Sequence, residues 1–373
     1  MLTSRCDLGC RYCYLGDAEQ MDIEEALLTR AISELGPGQG PLYVQLSGGE
    51  PTLRPDLIRL ASKLLKKLHR PVSLAVQTNA TLIDSAMAKE LKSLDIQVGV
   101  SLDGPPEINE PQRGKTREAL RGLAFLENAG VPFRATAVVT ALNARRLYET
   151  ALVLSGYSLC RGLGLDLLVK AGRARASSEK APLEDGAKDE GLKAVCRADP
   201  YELEAGAERL GETIISLGKL RRSPLSLREL ELVRRAFQNG PPRHFCHAAR
   251  GAGLAVRPGG ALFPCGQLSS SPLAKIGDLR EGAYLPGRAF TSGSILKGFD
   301  EAASEKLDHE GGPSLARPSS ASAMSRECPT CPLKGRCPGE CPSRLRLNNE
   351  EKPLACRLYR GLARAGGLIA KEA

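Results

Sequence analysis

The chain has 373 residues, 42% of them hydrophobic and 25% charged, which is typical of a soluble globular protein with one large or two ordinary domains. Its net charge of +9 would favour acidic partners. It has no tryptophan, only 4% aromatic residues and no nucleic-acid-binding motif, so a nucleic-acid partner is not predicted. There is no run of about 18 apolar residues and no basic-then-apolar segment at the start, so we predict neither a membrane span nor a signal peptide.

Strand-like and helix-like segments alternate through residues 1–170. Apolar residues at helical spacing predict helices, and short apolar or β-branched runs predict strands. The predicted helices are Ile23–Leu35, Asp56–Leu68, Ser85–Leu94, Thr116–Asn128 and Ala144–Leu154. The predicted strands are a stub at Leu2–Thr3, then Leu42–Leu46, Val72–Val76, Ile96–Leu102, Phe133–Val139 and Gly164–Val169. This alternation predicts a six-stranded parallel sheet with helices on its outside.

The rest of the chain differs in composition. Residues 171–240 are rich in charged residues and contain one convincing helix, Tyr201–Leu217. Residues 241–360 are rich in glycine, proline and cysteine, so bound metal is expected to organise much of their fold. A flexible loop is predicted at Gly311–Ser325. The predicted domain boundaries are 1–175, 176–240 and 241–373. Twelve cysteines at metal-ligand spacings, with no export signal, predict a reducing cytoplasmic location.

Three cysteines near the start of the chain, Cys6, Cys10 and Cys13, have the spacing CxxxCxxC. Three thiolates can hold three corners of a 4Fe–4S cube and leave one iron open to a ligand. A three-cysteine zinc knuckle is the alternative. With Gly48-Gly49-Glu50-Pro51 downstream, the pattern resembles the radical S-adenosylmethionine (SAM) superfamily. The resemblance implies that SAM binds the open iron and is cleaved reductively to a 5′-deoxyadenosyl radical, with electrons from a donor such as flavodoxin or ferredoxin.

The same resemblance assigns SAM contacts to the loops that follow the predicted strands. Gly48 and Gly49 allow close approach of the backbone, and the Glu50 carboxylate is assigned to the SAM ammonium group. Arg113, whose planar fork suits a carboxylate, is assigned with Ser101 to the SAM carboxylate. The resemblance also places Tyr12 near the adenine and Thr78 and Asn79 in the SAM or substrate pocket. Gly172-Arg173-Ala174 resembles a short motif of peptide maturases and is given no role of its own. Simple packing is the alternative role for Tyr12, and a surface position for Arg113.

Seven cysteines after residue 240 resemble the SPASM extension, which carries two auxiliary 4Fe–4S clusters. The resemblance assigns the cluster nearer the sheet to Cys246, Cys265 and Cys341. It assigns the distal cluster to Cys328, Cys331, Cys337 and Cys356. A zinc ribbon is the alternative for part of this set.

The assignment leaves the nearer auxiliary cluster with three cysteines, so one iron is expected to be open or weakly capped. His244 and His247 flank Cys246 and are candidate accessory ligands. Cys160 and Cys196 match no ligand position and are expected to be inert buried thiols.

The resemblance implies an α/β fold: a partial (βα)6 TIM-like barrel followed by a small cysteine-rich iron–sulfur domain, with chemistry at the carboxyl ends of the strands. It further implies an enzyme that modifies a ribosomally made precursor peptide or a small protein. From the residues before Cys6 we expect no N-terminal module for recognising a leader peptide. We therefore expect recognition by the barrel mouth, by residues 171–240 or by a separate partner.

Two departures from the sulfatase maturases bear on the reaction. Those enzymes carry Gln before the GGEP motif and Asp after the cysteine aligned with Cys265, where this chain has Ser47 and Gly266. A formylglycine-generating reaction is therefore the second hypothesis and a non-enzymatic metal-binding protein the third. Because an open iron favours a soft thiolate, thioether cross-linking of a peptide cysteine is the first.

Overall fold

The computed structural model describes the chain except for residues 17–18, 37, 176–189, 244, 251, 282–327, 349–353 and 371–373. Its centre is a six-stranded sheet in which every neighbouring pair of strands is parallel and the strand order follows the chain. The strands are β1 (Leu42–Leu46), β2 (Val72–Thr78), β3 (Gln97–Ser101), β4 (Phe133–Val139), β5 (Cys160–Leu167) and β6 (Ser226–Leu227). This topology confirms the predicted α/β class.

One helix precedes β1, and further helices connect successive strands of the sheet. They are α1 (Glu25–Leu35), α2 (Pro55–Leu65), α3 (Ser85–Ser93), α4 (Pro106–Arg113), α5 (Thr116–Asn128) and α6 (Leu147–Ser155). After β5 come α7 (Pro200–Leu220), α8 (Arg228–Asn239), α9 (Pro342–Asn348) and α10 (Ala355–Ala365). A second, antiparallel sheet contains β7 (Ala255–Val256), β8 (Ala261–Phe263) and β9 (Gly277–Asp278). Within the described residues, no helix is both long enough and apolar enough to cross a membrane.

Two details of the predicted sheet need correction. The stub at Leu2–Thr3 pairs in parallel with the chain beyond β1 through a single bridge, Thr3 to Gly48, and does not form a regular strand. The last predicted strand, Gly164–Val169, begins earlier, at Cys160, and a register irregularity near Phe133 accompanies its pairing with β4. The sixth strand of the sheet is instead β6, which is two residues long and has too little pattern to be recognised. The loop predicted at Gly311–Ser325 lies outside the described residues.

The two faces of the sheet differ in chemistry. One face packs against the helices and is apolar: in β4, for example, Phe133, Ala135, Ala137 and Val139 are at most 1% exposed. The alternate residues point to the opposite face, which we call the inner face. The inner face consists of Tyr43, Gln45, Ser73, Ala75, Gln77, Gln97, Gly99, Ser101, Arg134, Thr136, Val138, Gly162, Gly164 and Asp166. Most of these residues carry hydrogen-bonding groups, so this face is polar.

Candidate active site

The loop that carries Cys6, Cys10 and Cys13 lies at the carboxyl end of the sheet. Val138, near the end of β4, packs against a small buried cluster of Tyr12, Leu168 and Ala174, and Cys10 of this loop packs against the same cluster. Burial raises the pKa of the Cys6 thiol to about 12, opposed by the Leu8 N–H and reinforced by the charge of Cys10. Burial also raises the pKa of Cys10, and the nearby charge of Cys13 adds to this effect. The three thiols are therefore held together at the end of the sheet where chemistry was predicted.

Two contacts fix the shape of this cysteine loop. Gly172 lies so close that a Cβ atom there would be 2.3 Å from the carbonyl oxygen of Cys13, and its φ of +54° also favours glycine. The N–H of Arg173 donates to the same carbonyl at 3.0 Å. On the other side, the N–H of Arg11 donates to the carbonyl of Gln112 at 3.0 Å. The predicted Gly172-Arg173-Ala174 motif therefore packs directly on the cysteine loop.

Gly48 and Gly49 lie against the start of the chain. A Cβ at Gly48 would be 2.0 Å from the carbonyl oxygen of Thr3, and one at Gly49 would be 2.1 Å from that of Arg5. The N–H of Gly49 donates to the Thr3 carbonyl and that of Glu50 to the Arg5 carbonyl, both at 2.8 Å. Each glycine is thus required by close packing of two backbone segments beside the cysteine loop.

The Glu50 side chain is fully buried and is bonded within the protein. Its Oε1 accepts hydrogen bonds from the hydroxyls of Thr52 (2.6 Å) and Thr78 (2.7 Å), and its Oε2 accepts one from the N–H of Asn79 at 2.7 Å. Burial raises the pKa of this carboxyl, and these hydrogen bonds oppose the shift. The contacts give Glu50 and Thr78 a structural role that the sequence did not suggest: they tie the glycine loop to the end of β2.

Asn79 connects the end of β2 to the cysteine loop. Its Nδ2 donates to Oδ1 of Asp7 at 2.9 Å, while Oδ2 of Asp7 accepts from Thr81 Oγ1 at 2.7 Å and from Lys115 Nζ at 3.1 Å. Burial alone would raise the pKa of Asp7, but these hydrogen bonds outweigh that effect, so the pKa is lowered. Asn79 therefore lies beside the cysteine loop, and its role in a pocket stays a prediction.

Arg113 is engaged by a carboxylate that the sequence analysis did not single out. Asp103 is fully buried and accepts from Arg113 Nε at 2.8 Å and Nη2 at 3.0 Å. It also accepts from the Tyr12 hydroxyl and, at 2.8 Å, from the N–H of Val138. The planar fork assigned to the SAM carboxylate is thus already occupied by a protein carboxylate. Only Nη1 of Arg113 lacks an acceptor among the described residues.

Ser101, the other residue assigned to the SAM carboxylate, lies on the inner face. Its hydroxyl accepts a hydrogen bond from Gln77 Nε2 at 3.0 Å. The Gln77 side chain lies over Gly99 of β3. A Cβ at position 99 would be 2.3 Å from the Gln77 Oε1. Ser101 and Arg113 are therefore in different hydrogen-bond networks, which the spacing of the two residues in sequence does not reveal.

The later cysteines form two separate groups. The charges of Cys265 and Cys341 raise the pKa of the Cys246 thiol, after the larger effect of burial. Cys356 has its pKa raised to about 12 by burial, with Cys337, Cys328 and Cys331 contributing. The first group is Cys246, Cys265 and Cys341; the second is Cys328, Cys331, Cys337 and Cys356. This is the division that the resemblance implied.

These thiols also have the surroundings of cluster ligands. Backbone N–H groups donate to the sulfur atoms of Cys6, Cys246, Cys331 and Cys337 at 3.4–3.5 Å. Such bonds stabilise thiolates and adjust the reduction potential of an iron–sulfur cluster. Among the described residues, no three His, Cys, Asp or Glu side chains are grouped as ligands of a single metal ion. A cube binds each thiolate at a different corner, and sets of three or four thiols are the donors that 4Fe–4S clusters use.

Tyr14 is close to the cysteine loop, to the first later group and to Asp166; a Cβ at Gly266 would lie 3.6 Å from the Tyr14 hydroxyl oxygen. Burial raises the pKa of Tyr14, and the charges of Cys13, Cys265 and Asp166 add to the rise. Asp166 pairs in register with Val138, so its side chain is on the inner face, and Arg228 Nη2 donates to its Oδ1 at 2.9 Å. The sequence analysis missed both residues. For Asp166, the signal available in the sequence was a charged residue at the penultimate position of β5.

The remaining predicted positions contribute less. His247 is exposed, and His244 lies outside the described residues. Cys160 and Cys196 are buried and belong to none of the three cysteine groups, in agreement with the expected packing role.

The chain is similar to several known proteins. Residues 1–152 match the model of the Radical SAM superfamily. The chain is 38% identical over 152 residues to the Fe-coproporphyrin III synthase of Methanosarcina barkeri, a match covering 39% of this chain and 37% of that protein. It is 25% identical over 365 residues to the serine-type anaerobic sulfatase-maturating enzyme of Klebsiella aerogenes, covering 91% of this chain and 78% of that protein. The chain spans only 37–60% of the length of the first curated relatives that it matches.

The fold similarity extends beyond the family match. The solved structure of native anSMEcpe with bound AdoMet and a peptide named Kp18Cys superposes with a TM-score of 0.71 at 18% identity. The superposition covers 98% of this chain and 95% of that one. The fold of the later, cysteine-rich region is thus shared as well as that of the sheet.

Proposed function

Because residues 1–152 match the Radical SAM superfamily, we propose that the chain is a peptide-modifying enzyme that acts on a ribosomally made precursor peptide or a small protein. The observation that carries the proposal is the inner face. It offers three glutamine side chains, at Gln45, Gln77 and Gln97, together with hydroxyls from Ser73, Ser101 and Thr136. Amide and hydroxyl groups both donate and accept hydrogen bonds, which suits the backbone of an extended peptide.

The cofactors have candidate ligands at the carboxyl end of this face. Cys6, Cys10 and Cys13 would hold the cluster that binds SAM, which together supply a 5′-deoxyadenosyl radical when bound. Arg113 Nη1 would donate to the SAM carboxylate, with its direction set by Asp103. The two later cysteine groups would hold the auxiliary clusters, in the sets Cys246, Cys265 and Cys341 and Cys328, Cys331, Cys337 and Cys356.

The relatives name two substrate classes, and the inner face favours one of them. A tetrapyrrole, as in the name of the Methanosarcina barkeri relative, presents a large flat aromatic surface that prefers apolar walls. A peptide presents an amide donor and acceptor at nearly every residue. The inner face has few apolar side chains, and the match of about 25% identity to a sulfatase-maturating enzyme covers 91% of the chain. Both observations support a peptide or protein substrate.

Within that class, we propose thioether cross-linking of a peptide cysteine. The first later group has three cysteines, Cys246, Cys265 and Cys341, and a soft thiolate of the substrate is a suitable fourth ligand for iron. Tyr14 is influenced electrostatically by both Cys13 and Cys265, so this group lies beside the cysteine loop. Formylglycine generation is the second candidate, supported by the Klebsiella aerogenes relative. Gly266 provides no side chain to act as a base for it.

Anaerobic reconstitution with iron, sulfide and SAM tests the proposal. We expect iron and sulfide for three 4Fe–4S clusters, release of 5′-deoxyadenosine, and loss of two hydrogen atoms from a cysteine-containing peptide, with the new bond mapped by mass spectrometry. A peptide aldehyde would identify the second candidate instead. Stoichiometric zinc with no SAM turnover would contradict both.

A further inference from the structure

Arg134 lies on the inner face, opposite a glycine of the neighbouring strand β5. It is exposed, near the start of β4, and it pairs in register with Gly162 of β5. A Cβ at position 162 would lie 2.5 Å from Arg134 Nη2 and 2.7 Å from its Cζ. Glycine at this position therefore leaves the room in which the guanidinium group lies across β5, on the polar face of the sheet.

The charge of Arg134 is not matched by a neighbouring acid. Among the residues that form the inner face, the charged ones are Arg134 and Asp166. Asp166 is paired with Arg228 at 2.9 Å, and Arg228 is also bonded to Glu229 at 2.7 Å. Arg134 Nη2 donates only to the neutral hydroxyl of Ser226, at 3.0 Å, and no carboxylate in the described part of the chain forms an ion pair with it. Within that part of the chain, an uncompensated cation thus remains on an otherwise neutral, hydrogen-bonding surface.

The distance from Arg134 to the cysteine loop corresponds to a definite number of residues in an extended peptide. Arg134 precedes Val138 by four residues on the same face of β4, and Val138 packs against the buried cluster that contains Tyr12 of the cysteine loop. Four residues of strand span about 13 Å at a rise of about 3.3 Å per residue. An extended peptide lying along the strand advances by a similar rise, so it would cover this distance in about four residues.

We propose that Arg134 binds an acidic side chain of the peptide substrate, about four residues from the residue that is modified. The proposal rests on the proposed peptide-modifying function and specifies the substrate further. The guanidinium group supplies the positive charge and parallel N–H donors that a carboxylate prefers. Because Arg134 is exposed, the contact contributes to the choice of substrate more than to total affinity.

The test uses the reconstituted, SAM-loaded protein and fluorescent synthetic peptides, each with one cysteine and one Glu placed two to eight residues from it on either side. A peptide with Gln in place of Glu is the reference. We expect binding about three- to fivefold tighter for Glu near the fourth position, by anisotropy at low salt. The preference should disappear in about 1 M salt.

Variants separate recognition from folding. Arg134→Gln should remove the preference for Glu, and Arg134→Glu should transfer it to a peptide with Lys at the same position. Arg121→Gln, at an exposed position of α5, is the matched control and should keep the wild-type preference. Binding of the Glu and Gln peptides with equal affinity by the wild-type protein would overturn this inference while leaving the proposed function intact. No binding of any peptide would overturn both.

Discussion

Arg113 and Asp103 form a buried, two-pronged ion pair in which Nε and Nη2 of the arginine donate to the two carboxylate oxygens at 2.8 and 3.0 Å. The Arg113 side chain is 9% exposed and that of Asp103 is fully buried. The Tyr12 hydroxyl donates to the same carboxylate, and the Arg113 guanidinium lies 5.3 Å from the Tyr12 ring centroid. Because Tyr12 lies between Cys10 and Cys13, this ion pair joins the assigned SAM-carboxylate residue to the cysteine loop.

Asp103→Asn should therefore affect both folding and SAM binding. Removing one partner of a buried ion pair leaves an uncompensated charge, at a cost of about 3–5 kcal/mol. We expect a loss of that size in the free energy of unfolding by urea, together with weaker SAM binding. Asp56→Asn is the control, since Asp56 pairs with Arg54 while 44% exposed and its removal should cost less than about 1 kcal/mol. Equal losses for the two variants would contradict the role assigned to Asp103.

Cys13→Ala should abolish SAM cleavage while leaving the auxiliary clusters in place. Each of the three thiols in the loop is needed for a three-cysteine cluster, and the later cysteine groups are separate from it. Iron content should fall by about one cluster of the three, and 5′-deoxyadenosine should no longer form. Cys196→Ala removes a buried thiol with no assigned ligand role and should behave like the wild type. SAM cleavage by the Cys13→Ala protein at the normal rate would exclude Cys13 as a ligand.

Gly172→Ala should displace the cysteine loop. The new Cβ would lie 2.3 Å from the Cys13 carbonyl oxygen and 2.6 Å from the Gly16 nitrogen, so the loop must move. We expect loss of the SAM-binding cluster, measured by iron content and electron paramagnetic resonance, with the auxiliary signals retained. Gly367 also has a positive φ, +66°, but nothing in the described part of the chain lies within 4 Å of the position that a Cβ would take there. Gly367→Ala therefore introduces a side chain at positive φ without a collision, and we expect it to keep all of its iron. A similar loss of iron in Gly367→Ala would contradict the role assigned to the collision at Gly172.

Glu127→Gln should reduce stability at neutral pH but not in acid. Burial of Glu127 raises its pKa, but hydrogen bonds from the Ser158 hydroxyl and from the N–H groups of Leu159 and Ser158 outweigh this and lower it. A carboxyl whose pKa is lowered by folding stabilises the protein above its unfolded pKa, near 4.5, and loses that contribution as the pH falls through the folded pKa. The variant should lose about 1–3 kcal/mol at pH 7. Urea unfolding at pH 7 and near pH 3 should show this difference shrinking in acid.

The cysteine groups and the alternation of strands and helices could be predicted from sequence because both are local patterns. Ligand spacings such as that of Cys6, Cys10 and Cys13 are set within a single loop. The apolar runs of β2 and β4 likewise indicate strands wherever they pair. The division of the later cysteines into two groups was implied only by resemblance, since spacing alone left a zinc ribbon open.

The contacts of the site were decided by tertiary structure, because they join residues far apart in the chain. No local pattern shows that Asp103 would occupy the fork of Arg113, or that Glu50 would be bonded to Thr78 and Asn79 across 28 and 29 residues. Tertiary structure also decides which residues form the inner face. The alternation of side chains along β4 puts Arg134 and Phe133 on opposite faces of the sheet. Only the packing of helices on one side of the sheet decides which of the two faces is buried. Sequence therefore determined which groups are candidates to hold the cofactors, and the three-dimensional packing of the sheet determined which groups lie on its polar inner face.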